Sequence, residues 1–275
     1  MNTEFTEISG LKIRHRIHRN PGAPKLLLTN ALPMSIRCWD SHWDELSESF
    51  ELLALDLPGF GLSEARHELL NPTSMADFLV EVIQKLSWED SIAIGPDIGV
   101  PVVLSLAQRR PELLKGIVVF DGPGFYPPDF SFDLRWSMKS GFFRKISKLV
   151  YSPKIYLDQV LRRGYKRFRP SHEVYQEYLS IARDKERFQN TLTFISSYPV
   201  ELLSIGNKLD SIRVPTLIAW GAKDSFVPPS NGLQLKQRIP ESHLHIFPGC
   251  GHFSHEDAGQ AFTEVLRSWQ NSLRM

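Results

Sequence analysis

The segment Ser91-Ile92-Ala93-Ile94-Gly95-Pro96-Asp97-Ile98-Gly99-Val100 reads as a buried strand, a tight Gly-x-Asp-x-Gly turn and the start of a helix. Small residues on either side of Asp97 let a strained turn project that one side chain. A hydroxyl at the turn would suggest ester or amide chemistry. A carboxylate changes the reaction class, so Asp97 constrains both the local fold and the function.

The rest of the chain supplies the setting. Strand candidates are Lys25–Leu28, Leu52–Leu55, Ser91–Ile94, Gly116–Phe120, Thr216–Trp220 and Leu244–Phe247. Helix-period stretches lie between them, including Ser74–Leu86, with Thr73 or Ser74 placed to cap it, Val100–Arg109 and Gly259–Asn271. Short strands separated by helices predict an α/β fold with a mostly parallel sheet flanked by helices. Ligands then gather at the carboxyl ends of the strands.

One stretch breaks the alternation. Residues 124–211 contain no convincing buried strand and are aromatic, basic and helical in pattern. The expected organisation is a core domain of residues 1–123 and 212–275 with a helical cap, 124–211, inserted between two core strands.

At 275 residues the chain is long enough for one large domain with an insertion, and a net charge of +1 points to no particular class of partner. Cys38 and Cys250 lack metal-ligand spacing and read as two reduced thiols. Met1 to Gly10 is polar and acidic without a signal pattern, and no apolar run approaches the ~20 residues needed to span a bilayer. A cytoplasmic location is expected.

Three residues follow strands in a fixed order: Asp97, then Asp224 after Leu217-Ile218-Ala219-Trp220-Gly221-Ala222-Lys223, then His252 after Phe247-Pro248-Gly249-Cys250-Gly251. Nucleophile, acid, histidine is the order of the α/β-hydrolase triad. With the turn Asp56-Leu57-Pro58-Gly59-Phe60-Gly61-Leu62-Ser63, these motifs make nearly the whole chain resemble the α/β-hydrolase fold family. Gly95-Pro96-Asp97-Ile98-Gly99 and Gly251-His252-Phe253 resemble its aspartate-nucleophile branch, which holds epoxide hydrolases and haloalkane dehalogenases. Asp121 also ends a strand, where some family members place the acid.

The chemistry separates that branch from the rest. A carboxylate attacking an ester carbonyl would give an uphill anhydride, whereas attack on a saturated carbon gives an ordinary alkyl ester that persists as an intermediate. His252, oriented by Asp224, would then deprotonate the water that hydrolyses it. The resemblance implies an oxyanion hole from the backbone N–H groups of Ile98 and Leu32. The scheme needs a strained or activated electrophile and no metal or organic cofactor, because the triad supplies both nucleophile and base.

Departures from the branch sharpen the reading. In Thr29-Asn30-Ala31-Leu32-Pro33 only the proline of the usual His-Gly-x-Pro loop is kept, and Pro96 replaces the usual histidine. Ile98 has no side-chain donor for a departing halide and Leu32 stands where an Asn is usual, so epoxide opening ranks above dehalogenation. A non-hydrolytic role as lyase, cyclase or binding scaffold is the alternative of a different class. Epoxide opening needs a phenol in the cap. Of six tyrosines from Tyr151 to Tyr198, Tyr165 and Tyr178 are chosen because they fall on different predicted helices. With Asn30 and Trp39 they make up the expected substrate-binding set.

The cap is also basic. Eleven Lys or Arg lie between Arg135 and Arg169, at 135, 139, 144, 145, 148, 154, 162, 163, 166, 167 and 169, against the single acid Asp158. The readings are a solvated helical face, a site for an anionic substrate or an acidic carrier protein, and adhesion to a membrane surface. The expected ligand is a small molecule, apolar or with an anionic group. No nucleic-acid recognition motif is present.

Overall fold

The computed structural model describes residues 3–132 and 152–273. Its sheet has eight strands: β1 (Glu4–Ile8), β2 (Leu11–His18), β3 (Lys25–Leu28), β4 (Glu51–Leu55), β5 (Ser91–Pro96), β6 (Leu114–Phe120), β7 (Thr216–Gly221) and β8 (Ser242–Phe247), in the order β1-β2-β4-β3-β5-β6-β7-β8. The pairs β1–β2 and β2–β4 are antiparallel and all the others parallel.

The strands that read as continuous apolar runs do so because both faces of the parallel sheet are covered. Their side chains alternate between two cores. Leu27, Leu53, Ala93, Ile117, Val119 and Ile218 pack on one side. Leu26, Leu28, Leu52, Ile94, Val118 and Leu217 pack on the other. Helices α2 (Pro72–Leu86) and α3 (Gly99–Arg109) cover the first face through Phe78, Leu79, Val103 and Leu104. The other face is covered by α1 (Trp43–Ser47) and the C-terminal helix, Gln260–Ser272, through Trp43, Leu46, Phe262 and Leu266. Each such side chain taken fully out of water contributes about 1.5–3 kcal/mol before the entropy of ordering it.

Two sequence expectations need correction. Residues 4–18 form a hairpin, β1–β2, that a search for apolar runs passes over. Leu11, Ile13 and Ile17 alternate with Lys12, Arg14 and Arg16, the period-two pattern of a strand near a sheet edge. The cap of α2 is Asn71, not Thr73 or Ser74: Asn71 Oδ1 accepts the Ser74 N–H at 2.9 Å, and Pro72 takes the first helical position, where a missing N–H costs nothing.

Between β6 and β7 the described residues hold three longer helices, α4 (Pro153–Gly164), α5 (His172–Arg183) and α6 (Lys185–Gly206), and no strand. Glu177 of α5 ties this insertion to the sheet, accepting two N–H groups of Arg14 at 2.7 and 3.1 Å. The basic positions 135, 139, 144, 145 and 148 lie outside the described residues, as does Tyr151. After β7 come α7 (Ser230–Arg238), α8 (Ser254–Ala258) and α9 (Gln260–Ser272). Cys38 and Cys250 are free and buried. Among the described residues no helix is long and apolar enough to cross a membrane.

Candidate active site

The carboxyl ends of β3, β5, β7 and β8 converge, and each contributes one group. Asp97 stands between β5 and α3 with φ +48°, a left-handed conformation that costs a non-glycine residue about 1–2 kcal/mol. Two backbone hydrogen bonds hold it there: its N–H donates to Phe120 O at 3.0 Å, and its carbonyl accepts the Val100 N–H at 3.1 Å. The turn is too tight for a side chain at Gly95, where a Cβ would sit 2.4 Å from Gly99 O. The strain therefore sits where the sequence places its one carboxylate.

His252 lies in the loop between β8 and α8. Its Nδ1 is 2.8 Å from Asp224 Oδ2, and its Nε2 is 3.6 Å from Asp97 Oδ1. Asp224 is itself fixed, since its Oδ1 accepts the N–H groups of Phe226 and Val227 at 2.8 and 3.0 Å. Burial works to lower the His252 imidazolium. The neighbouring carboxylates of Asp224 and then Asp97 outweigh it and hold the group well above its ordinary value. Phe226 packs edge-on to the ring at 5.1 Å.

Asp121 does not compete for the histidine. Its two oxygens accept the N–H groups of Gly221 at 2.8 Å and Ser254 at 3.0 Å, tying together the loops that carry Asp224 and His252. Burial, then the Asp224 charge, push its carboxyl well up. Asp56 and Ser63 serve loop structure. Asp56 accepts the N–H groups of Ile36 and Leu62, and burial pushes its carboxyl up to about 6, while Ser63 bridges Arg14 N–H and Asp56 O.

The altered loop after β3 still presents its amide: Leu32 N–H donates to Asp97 Oδ2 at 2.9 Å. Ile98 stands at the N-cap of α3, where an N–H has no acceptor within the helix.

Residues 24–259 match the family model described as alpha/beta hydrolase fold. The chain belongs to the α/β-hydrolase fold family. It is 23% identical over 273 residues to an uncharacterized hydrolase, YugF, of Bacillus subtilis (strain 168), with 94% of each chain covered. It is 25% identical to a 2-hydroxy-6-oxo-6-phenylhexa-2,4-dienoate hydrolase of Burkholderia cepacia, over 82% of this chain and 80% of that one. The solved haloalkane dehalogenase DbeA of Bradyrhizobium elkani USDA94 superposes with a TM-score of 0.82 at 19% identity, covering 99% of this chain and 98% of the other. The family match and the curated relatives mark the protein as a hydrolase of the α/β fold, and the likeness to the dehalogenase shows the fold alone.

Within this α/β-hydrolase, the residues expected to bind substrate have the following places. Trp39 is fully buried, packed among Phe120, His255 and Phe262, with its indole N–H on Thr29 O at 2.8 Å. Asn30 is a loop brace: its amide donates to Ala31 O and Met34 O, and its Oδ1 accepts the Leu57 N–H at 2.8 Å. Tyr165 is buried with its hydroxyl on Glu256, and the buried Tyr178 hydroxyl has no partner among the described residues. Both tyrosines belong to the core on the α9 side of the sheet.

A further buried tyrosine of the insertion is Tyr198, on α6. Burial, and then the negative charge of Asp97, raise its phenol well above the ordinary value. Its ring stands edge-on to Phe194 at 5.6 Å, and Phe194 stands edge-on to Phe60 at 5.4 Å. The signal for it in the sequence is Pro199: a proline inside a helical stretch removes a hydrogen bond and marks a local irregularity. Leu32, Pro33 and Phe60 also line a largely apolar groove, together with Ile181, Arg187 and Phe188 of the insertion.

Proposed function

We propose that this α/β-hydrolase hydrolyses an epoxide-like electrophile through an alkyl ester on Asp97. The observation that carries the reading is the asymmetry of the Asp97 carboxylate. Oδ2 is engaged by the Leu32 N–H at 2.9 Å, while Oδ1 faces His252 Nε2 at 3.6 Å without a hydrogen bond of normal length. One oxygen is anchored and the other is free to attack, with a base beside it.

In the first half-reaction Asp97 Oδ1 bonds to an epoxide carbon. The carbon–oxygen bond breaks, and the departing oxygen keeps the electron pair and takes a proton from Tyr198. In the second, His252 takes a proton from water and the hydroxide adds to the ester carbon of Asp97. Negative charge then falls on Oδ2, where the Leu32 N–H, with that of Ile98, would stabilise it. Collapse expels the alkoxide, which takes the proton from His252. The remaining water proton returns to the Tyr198 phenolate through solvent. The sum is epoxide plus water to diol, and the chain is left as it began.

Tyr198 favours an epoxide over a halide, because an opening epoxide needs a proton and a departing halide needs donors that Ile98 does not supply. An apolar substrate suits the groove beside Leu32, whose lining is largely apolar but includes neither Asp97 nor His252. The test is the intact mass of His252→Gln after incubation with apolar epoxides and haloalkanes. Lacking its base, this variant should stall as the ester, with a mass increase that maps to Asp97. No adduct from any electrophile, in a protein that still binds these compounds, would overturn the proposal.

A further inference from the structure

Asp257, in α8 five residues after His252, has a carboxylate that accepts four backbone N–H groups. Its Oδ2 takes those of Gly251 and Lys166, both at 2.8 Å, and its Oδ1 takes those of Arg167 and Phe168, both at 2.8 Å. The residue is buried. Charge-assisted bonds of this kind are roughly twice as strong as neutral ones, and four on one carboxylate fill nearly all of its acceptor sites.

The donors come from two separate parts of the chain. Gly251 is the residue before His252. Lys166, Arg167 and Phe168 follow α4 in the insertion. A second contact joins the same two parts: the His252 N–H donates to Gly164 O, at the end of α4, at 2.8 Å. The approach leaves no slack, since a Cβ at Gly251 would lie 2.0 Å from Gly164 O. The backbone of the histidine is therefore held by the insertion and by Asp257, while its ring is held by Asp224.

We infer that Asp257 is a positioning residue for His252, locking the base's loop to the insertion so that its ring keeps its place between Asp224 and Asp97. This rests on the reading of His252 as the base of the second half-reaction. A base displaced by about 1 Å loses on the order of 10²-fold in rate, whereas attack by Asp97 does not use the imidazole as a base. Loss of the clamp should therefore slow ester hydrolysis and spare ester formation, which a general loosening of the fold would not do.

The experiment uses the full chain carrying Asp257→Asn or Asp257→Glu. The first replaces two acceptor positions by an amide donor that faces N–H groups. The second keeps the charge but moves the carboxylate, and serves if the first does not fold. Two readouts are taken on folded protein. The first is the low-field NMR resonance of the His252 Nδ1 proton, which needs no substrate. The second is single-turnover kinetics with an electrophile that alkylates Asp97.

The expected result is a shifted or broadened Nδ1 resonance, ester hydrolysis slowed tenfold or more, ester formation within about twofold of the parent, and the ester visible by mass during turnover. An unchanged resonance with unchanged hydrolysis would overturn the inference, as would equal slowing of both half-reactions. If no compound alkylates even the parent protein, the proposed function fails on its own. The NMR arm alone then decides whether Asp257 positions His252.

Discussion

His252 Nε2 lies 3.6 Å from Asp97 Oδ1, near enough for each to feel the other's charge and too far for a hydrogen bond. This spacing orders the proposed chemistry in time. While Asp97 is a carboxylate, the charges of Asp224 and Asp97 favour the protonated imidazole against the pull of burial. Alkylation of Asp97 removes one of those charges. The histidine becomes easier to deprotonate at the point where a base is needed, so one event both makes the ester and readies the group that destroys it.

Replacing Asp97 by Asn imitates the neutral ester. Asn tolerates the left-handed backbone at this turn nearly as well as Asp, so the fold should persist. The expected outcome is a His252 that titrates lower than in the parent, measured by NMR of the ring. The sign of the stability effect follows. A histidine raised above its ordinary 6.5 contributes stability that is fully present below that pH and is lost as pH rises through the native value. Part of that contribution comes from Asp97, so it should be smaller in Asp97→Asn. The stability advantage this interaction gives the parent should shrink as pH rises from 6.5 through the native value, as denaturant melts at several pH values would show.

Asp224→Asn should be more damaging than its small change in shape suggests. Asp224 Oδ1 is committed to the N–H groups of Phe226 and Val227. An amide that keeps those bonds must turn its NH₂ toward His252 Nδ1. The ring then carries its proton on Nε2, and that tautomer cannot take one from water. Ester hydrolysis should fall by about 10²–10⁴-fold with ester formation much less affected. Rapid-quench mass measurements should show the ester accumulating, and an equal loss in both half-reactions would count against the assigned orientation.

The legible parts of this fold are those whose signals are local. The strand–turn–helix around Asp97, and the strand ends before Asp224 and His252, combine apolar runs with glycines, and each run is continuous because the parallel sheet is covered on both faces. The β1–β2 hairpin escaped because alternating charges break the run. The burial of Trp39 and Asn30 was hidden for a different reason: proximity in sequence to the loop after β3 does not say which way a side chain turns. Tyr165, Tyr178 and Tyr198 could be sorted only by how the inserted helices dock, and nothing in helical periodicity carries that. Asp257 looks from sequence like an ordinary acid in the first turn of a helix. Its four donors come from segments that only the folded chain brings together.

The place of Trp39 can be checked directly. A fully buried tryptophan among Phe120, His255 and Phe262 is a packing residue. Trp39→Ala should cost about 3–5 kcal/mol of stability. Trp39→Phe, which fills part of the space but leaves Thr29 O without its 2.8 Å donor, should cost about 1–3 kcal/mol. In the folded Phe variant KM should be unchanged for any substrate. A raised KM with unchanged melting would return Trp39 to the binding set.

Tyr198→Phe separates the two electrophile classes most cleanly. The phenol is buried, sits in the field of Asp97 and is held among Phe194 and its neighbours. Both influences keep it protonated, so the proton is present to be donated, from a phenol that is a weaker acid than a free one. Removing the hydroxyl leaves the ring packing, so the fold should be little disturbed. An epoxide oxygen leaving without a proton becomes an unstabilised alkoxide, and ester formation from epoxides should slow by about 10²-fold or more. A halide needs no proton to depart, so any alkylation of Asp97 by a haloalkane should proceed at its original rate. Ester hydrolysis, driven by His252, should be unchanged for both. Measured on the His252→Gln background, where the ester does not turn over, the two formation rates can be read as growth of the adduct mass. Parallel loss with both electrophiles would mean that Tyr198 shapes the pocket rather than supplying the proton. No loss with epoxides would place the acid elsewhere in the insertion.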